Sequence, residues 1–250
     1  MGVNYNIFAR YYDDLTKNIN YQDLAEYFHT IIKKYNGKEN GILLDLACGT
    51  GNVSEEMSRL GYDVIGVDSS EEMLNCAFEK KYDSGLNIQY ICQDMRKLDM
   101  FGTIDVTICV LDSINHLDSL EDIIQIFSKV SLFSEPNGLF IFDVNTKYKH
   151  EEVLADNIFI YETDDIYCVW ENSYQKETNE VKINLEFFER NGNIYKRYSE
   201  NFSEKAYDIS DLDKALKDNK FEILAHYDGF SLNSPNNKSE RIVFIARKVK

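Results

Sequence analysis

Short, almost wholly apolar runs alternate along the first part of the chain with segments whose apolar residues recur every three or four positions. GILLDL (41–46), DVIGVD (63–68), NIQYICQ (87–93), IDVTICV (104–110) and GLFIFDV (138–144) are runs of the first kind. Their length and composition suit strands buried on both faces of a parallel sheet. Leu24, Phe28, Ile31, Ile32 and Tyr35 follow helical spacing, and residues 52–60 read as a second helix. Ser69 with Glu72 three positions later has the form of a capping box, opening a helix whose stripe is Leu74, Ala77 and Phe78. Leu120, Ile123, Ile124, Phe127 and Val130 mark a further amphipathic helix, and the turn EPNG (135–138) leads into the fifth strand. Strands alternating with helices predict right-handed crossovers and a doubly wound, mostly parallel α/β sheet.

The rhythm changes near residue 150. Residues 158–204 hold aromatic and β-branched runs, and NGN (191–193) between two of them is a hairpin signal. An antiparallel β insertion over 150–205 is therefore expected inside a domain formed by 1–149 and 206–250. Helical spacing returns with Leu212, Ala215 and Leu216, with Ser210 as the expected cap. FEILAHY (221–227) and RIVFIARK (241–248) read as two closing strands.

The chain of 250 residues carries 43 acidic and 27 basic side chains, for a net charge of −16. That balance argues against nucleic acid, whose phosphates call for clustered Lys and Arg, and against anionic lipid. Cys48, Cys76, Cys92, Cys109 and Cys168 are scattered and odd in number, which fits reduced thiols better than a disulfide frame or a zinc knuckle. No grouping of His, Cys, Asp and Glu has metal-ligand spacing, so no metal is expected. Neither a secretory signal nor a long apolar run is visible, and Asn6 does not match a myristoylation motif at Gly2. The expectation is a cytoplasmic protein, monomeric or homodimeric, without nucleic-acid or membrane partners.

The most informative segment is DLACGTGN (45–52), set between a buried strand and a helix. Gly49 and Gly51 permit positive φ and a close approach of backbone to a ligand. Asp68 ends the next strand 19 residues after Gly49, where a carboxylate can accept both hydroxyls of a ribose. A dinucleotide site would carry a third glycine where Ser54 stands, and Asp45 would oppose an anionic pyrophosphate. A cofactor bearing a sulfonium and an ammonium suits these carboxylates better, which favours S-adenosyl-L-methionine and methyl transfer over hydride transfer.

DLACGTG resembles the first motif of the class I S-adenosylmethionine-dependent methyltransferases. VDSSEEML (67–74), QDMRKL (93–98), SEPNGLFIFDVN (134–145) and the closing helix and strand are similar to later motifs of that family. Asn219 stands where the family usually has Gly. FARYYDDL and NINYQDLAEYF resemble a lid found in small-molecule members, including glycine and aminosugar N-methyltransferases, so 1–36 is expected to form a helical lid. The resemblance implies a seven-stranded Rossmann-like sheet. It also implies that Ala47, Gly49 and Gly51 bring backbone to the methionine part, with Asp45 ordering its ammonium. Asp68 would grip the ribose, Met73 and Met95 would flank adenine, and Asp94 would receive its exocyclic amine. Leu111 would offer its carbonyl to the ammonium, and Tyr12 and Tyr21 would close over the cofactor. For Met73, Tyr12 and Tyr21, plain packing remains the alternative.

LDSINH (111–116) lies at the carboxyl end of the fourth strand, on the ligand edge of such a sheet. His116 is the first candidate for a general base and Asp112 the second, since an amine or hydroxyl acceptor must lose a proton. The alternative for His116 is a contact to the cofactor's carboxylate. Asp143 and Asn145 could touch the acceptor or cap a turn. The insertion, with Tyr161, Tyr167, Trp170 and Tyr174, is expected to roof the acceptor pocket. A small-molecule acceptor, at nitrogen before oxygen, is the reading; a cofactor sensor without transferase activity and a protein methyltransferase are the rivals.

Overall fold

The computed structural model describes residues 6–36 and 40–249. Met1 to Tyr5, including Gly2 and the start of the expected lid, lie outside them. Seven strands form the main sheet: β1 (Ile42–Leu46), β2 (Asp63–Asp68), β3 (Gln89–Cys92), β4 (Ile104–Cys109), β5 (Ser134–Asn145), β10 (Phe221–Asp228) and β11 (Arg241–Lys248). Their order is β3-β2-β1-β4-β5-β11-β10. All neighbours from β3 to β5 are parallel, and β11 runs antiparallel to both β5 and β10. The sheet is thus doubly wound with its switch point between β1 and β4, where open α/β sheets bind ligands.

Period-two alternation within β1 explains why both faces are covered. Leu43 turns to the face packed by α2 (Tyr21–Asn36), α3 (Asn52–Arg59) and α4 (Glu71–Ser84), against Phe28, Ile31, Met57 and Ala77. Leu44 and Leu46 turn to the face of α5 (Leu120–Phe133) and α6 (Ile209–Asp218), against Phe127, Val130 and Leu216. Burying each such side chain contributes about 1.5–3 kcal/mol. Two helix stripes shift from the expected ones. Ile124 and Phe78 face solvent, and Ile126 takes the buried place on α5.

Caps also move by a residue or two. Ser70, not Ser69, caps α4 by accepting from the Met73 amide at 3.1 Å. Asp208 occupies the α6 cap position, while Ser210 lies inside the helix.

The second sheet is antiparallel, in the order β6-β7-β8-β9, from β6 (Ile158–Glu162), β7 (Ile166–Gln175), β8 (Glu180–Asn191) and β9 (Ile194–Lys205). Asn191 pairs with Ile194 across a two-residue turn at the expected NGN segment. Its inner face packs against α1 (Asn6–Leu15): Ile7, Phe8, Tyr11 and Leu15 share a core with Ile166, Cys168, Val181 and Leu185. The segment expected as one lid is therefore divided. α1 belongs to the second sheet, whereas α2 buries Phe28, Ile31 and Ile32 completely in the main core.

One side chain closes the stem of the insertion. Asn115 donates from Nδ2 to the carbonyls of Asn145 and Lys205, at 3.1 and 2.8 Å, and its Oδ1 accepts the Asn145 amide at 2.8 Å. None of the described helices is long and apolar enough to cross a membrane.

Candidate active site

A cavity of about 280 Å³ lies at the carboxyl ends of β1, β2 and β4, between α1 and the second sheet. Ala47 and Gly49 border it from the glycine turn, Asp68 from the end of β2, and Met73 and Met95 from its apolar side. Leu111, Asp112 and His116 follow β4, and Tyr12 reaches in from α1. A smaller space, about 50 Å³, adjoins it and brings in Asp45 and Tyr21 beside Ala47, Gly49 and Leu111.

Backbone strain marks this rim. Ala47, Leu111 and Asp112 sit at φ 61°, 56° and 57° without being glycine. Such conformations cost of order 1–3 kcal/mol each and persist where surrounding structure imposes them. The reason at 111–112 is visible: the buried Asp143 carboxylate accepts the amides of Leu111 and Asp112 at 2.7 and 3.0 Å. Arg241 then pairs with both Asp143 and Asp112. Burial alone would raise the Asp112 carboxyl, but the Arg241 charge holds it below the ordinary carboxylate range. Asp112 is thus a locked anion rather than a proton acceptor, which corrects its place as the second candidate base. Asp143 acts as the turn anchor.

The glycine turn divides its work between two residues. At Gly49, φ +56°, an added Cβ would meet nothing within 4 Å, so the backbone faces open space beside the cavity. Gly51 points the other way: a Cβ there would collide with the Tyr90 hydroxyl and lie 3.0 Å from Ala77 Cβ. Close packing thus requires glycine at this position, and Gly51 does not border either cavity. Asp68 receives the Gly49 amide on one oxygen at 2.8 Å and the Ser70 amide on the other at 2.9 Å. Burial nevertheless leaves its carboxyl raised. Asp45, 1% exposed, accepts from Ser54 Oγ at 2.6 Å, and burial pushes it up to about 7. Ser54, at the position where a dinucleotide motif has glycine, is fully buried in that bond.

Asp94 does not border the cavity. Arg96 takes both its oxygens, at 2.7–3.1 Å, so the expected adenine contact through this carboxylate meets a competing cation. Tyr12 packs edge-on to Phe8 and its hydroxyl is pushed well up by burial. The Tyr21 hydroxyl donates to Thr16 Oγ1 at 2.9 Å. α1 itself is tied to the glycine turn: Asp13 accepts from Thr50 Oγ1 at 2.7 Å and Asn52 Nδ2 at 2.8 Å, and pairs with Lys80.

His116 is half-buried, 5.4 Å from the Phe202 ring, with no hydrogen-bond partner among the described residues. It borders the cofactor-side cavity and also an open groove of about 580 Å³. Arg241 and Glu204 were not anticipated. Both enter through strand pairing across long separations, Arg241 opposite Asn145 and Glu204 opposite Val181, which spacing in one sequence does not reveal.

These features fit S-adenosylmethionine. There is an acid at the end of β2 for a ribose, an open glycine backbone, two thioether side chains for a flat base, and carboxylates for the cationic end. Residues 43–138 match the methyltransferase domain family. YqeM of Bacillus subtilis (strain 168), which its name places among methyltransferases, is 32% identical over 98% of both chains. The crystal structure of an S-adenosylmethionine-dependent methyltransferase from Clostridium acetobutylicum ATCC 824 superposes with a TM-score of 0.88. It is 34% identical, covering 98% of this chain and 99% of that one. The S-adenosylmethionine-bound amino pentose methyltransferase CalS10 from Micromonospora echinaspora shares the fold at 17% identity, with a TM-score of 0.75 and 93% of each chain covered. The chain belongs to the class I S-adenosylmethionine-dependent methyltransferases.

Proposed function

We propose that the enzyme methylates a small-molecule acceptor, at nitrogen rather than oxygen, with His116 as the group that receives the acceptor's proton. The observation that carries this reading is the position of His116. It stands without a hydrogen-bond partner among the described residues where the cofactor-side cavity meets the second sheet. Beyond Asp112 that space continues into a pocket of about 180 Å³ walled by Phe159, Tyr161 and Trp170. An aromatic-walled pocket of this kind suits a small organic acceptor.

When bound, S-adenosylmethionine supplies an electrophilic methyl group on sulfur. The chain's own part is alignment and proton removal. The strained Ala47 and Leu111 backbones and Asp68 set one reactant, and the second sheet sets the other. His116 takes the acceptor's proton and so frees the nitrogen electron pair that forms the bond to carbon. The amino pentose acceptor of a fold relative and the acidic lining around His116 both support nitrogen.

The test is formation of S-adenosylhomocysteine with a panel of amines and matched alcohols, for the wild type and His116→Asn. Turnover with amines, reduced about 10²-fold or more in the variant while cofactor affinity holds, is the expected result. Product with alcohols alone would overturn the nitrogen assignment.

A further inference from the structure

Glu204 is a charged side chain in a nearly closed setting, 5% exposed, at the carboxyl end of β9. One of its oxygens is fixed. Oε2 accepts from Asn145 Nδ2 at 2.9 Å, and His150 Nε2 stands 3.6 Å away. Asn145 is itself held, through Lys149 Nζ at 2.9 Å on its Oδ1 and through Asn115 on its backbone. Glu204 Oε1 has no partner among the described residues, and the side chain borders both the cofactor-side cavity and the aromatic pocket beyond it. That oxygen is open to the cavity side, where a ligand can reach it.

The surroundings indicate what fills it. Donor atoms of Asp112, His116 and Glu204 lie within 4.8 Å of one another, so two carboxylates and an imidazole converge on one point. Trp170 and Phe202 line the same cavity. Arg241, which lines the same cavity, pairs with Asp112. Aromatic faces beside carboxylates suit an organic ammonium, through charge and cation–π attraction. A hard metal ion would call for roughly six or more oxygen ligands, many of them water, rather than a site bordered by Trp170 and Phe202.

We infer that Asp112, Glu204, His116, Trp170 and Phe202 form a cage for the protonated amine of the acceptor, with Glu204 as the residue that selects an amine over an alcohol. This rests on the reading of the enzyme as an N-methyltransferase. In the cage, Glu204 and Asp112 bind the ammonium. His116 then removes one N–H proton, and the pair of electrons left on nitrogen becomes the nucleophile. Asp112, locked by Arg241, keeps its charge throughout, so the proton is directed to the imidazole.

Binding alone can test the cage. The protein loaded with S-adenosylhomocysteine is titrated calorimetrically at pH 7 with benzylamine, which is an ammonium there, and with benzyl alcohol, its neutral isostere. The wild type is expected to prefer the amine at least tenfold. Glu204→Gln keeps an oxygen for Asn145 and should reduce that preference at least fivefold, with S-adenosylhomocysteine affinity unchanged. Glu204→Asp, which retains the charge, should restore part of it. Equal affinity for amine and alcohol, or a preference untouched by Glu204→Gln, overturns the inference. So does tight Mn²⁺ binding that Glu204→Gln abolishes, since the cage would then belong to a metal. Amine binding as expected but without methylated product would leave the cage standing and remove the N-methyltransferase reading instead.

Discussion

The two walls of the cavity are built by different means. The wall at the ends of β1 and β2 is made by local backbone: a glycine turn, a left-handed Ala47, and an acid whose oxygens tie that turn to the start of α4. The opposite wall is made by side chains from far apart in the chain, with Asp112, Asp143, Glu204 and Arg241 meeting around the end of β5. The first can hold the same cofactor whatever the acceptor is. The second can change with a few substitutions, and it does so at the expense of buried charges that must remain balanced.

The sharpest way to break the side-chain wall is Arg241→Ala. It leaves Asp112 and Asp143 buried without their cation, and such a loss typically destabilises by about 3–5 kcal/mol. Urea unfolding should show it, and adding Asp112→Asn should recover part of the loss. A variant as stable as the wild type would mean that the cluster is not what holds residues 111–112.

On the backbone wall the largest effect should come from Asp68→Ala, which removes the carboxylate expected to receive the ribose. Cofactor affinity should fall by about 1.5–3 kcal/mol for each charge-assisted bond lost. Calorimetry with S-adenosylmethionine measures this directly, and an unchanged affinity would misplace the ribose.

Asp45 allows the same wall to be probed by pH. Its carboxyl lies near 7 in the folded chain because burial penalises the charge, against about 3.9 for an unfolded Asp. Between those values the folded chain holds the proton more tightly than the unfolded chain. Stability contributed by the neutral form is therefore complete below pH 4 and lost as pH rises through 7. The melting temperature of the ligand-free wild type should fall, relative to Asp45→Asn, from pH 5 to pH 8. S-adenosylmethionine should narrow the difference by placing a cation beside the carboxylate. An identical slope in both proteins would remove Asp45 from the cationic end of the site.

The smallest effect is expected at Asp94. Its carboxylate is spent on Arg96, so Asp94→Asn should change cofactor affinity by no more than about 0.5 kcal/mol. A large loss would show that Arg96 yields the carboxylate when adenine arrives.

The contrast between the walls also explains what could be read from the sequence. Strand runs, the glycine turn and Asp68 are local patterns, and the seven-stranded sheet with its antiparallel neighbour follows from them. The roles of Gly49 and Gly51 were not separable, because only the packing of Tyr90 shows which glycine faces inward. Asp112 looked like a base because nothing nearby in sequence neutralises it. Its cation comes from β11, 129 residues later. Glu204 was one acid among 43 until the pairing of β8 with β9 and the bond to Asn145 set it apart.

Asn115 ties the departure and return points of the second sheet together, one residue before His116. Everything from Thr146 to Glu204 is consequently a cassette with a pinned base. Its hairpins can lengthen or shorten while both ends stay indexed to the same rung of the parent sheet. Because closing a longer loop costs only slowly more, such edits are cheap in stability. The second sheet can therefore be edited, or replaced by grafting, while the imidazole keeps its address.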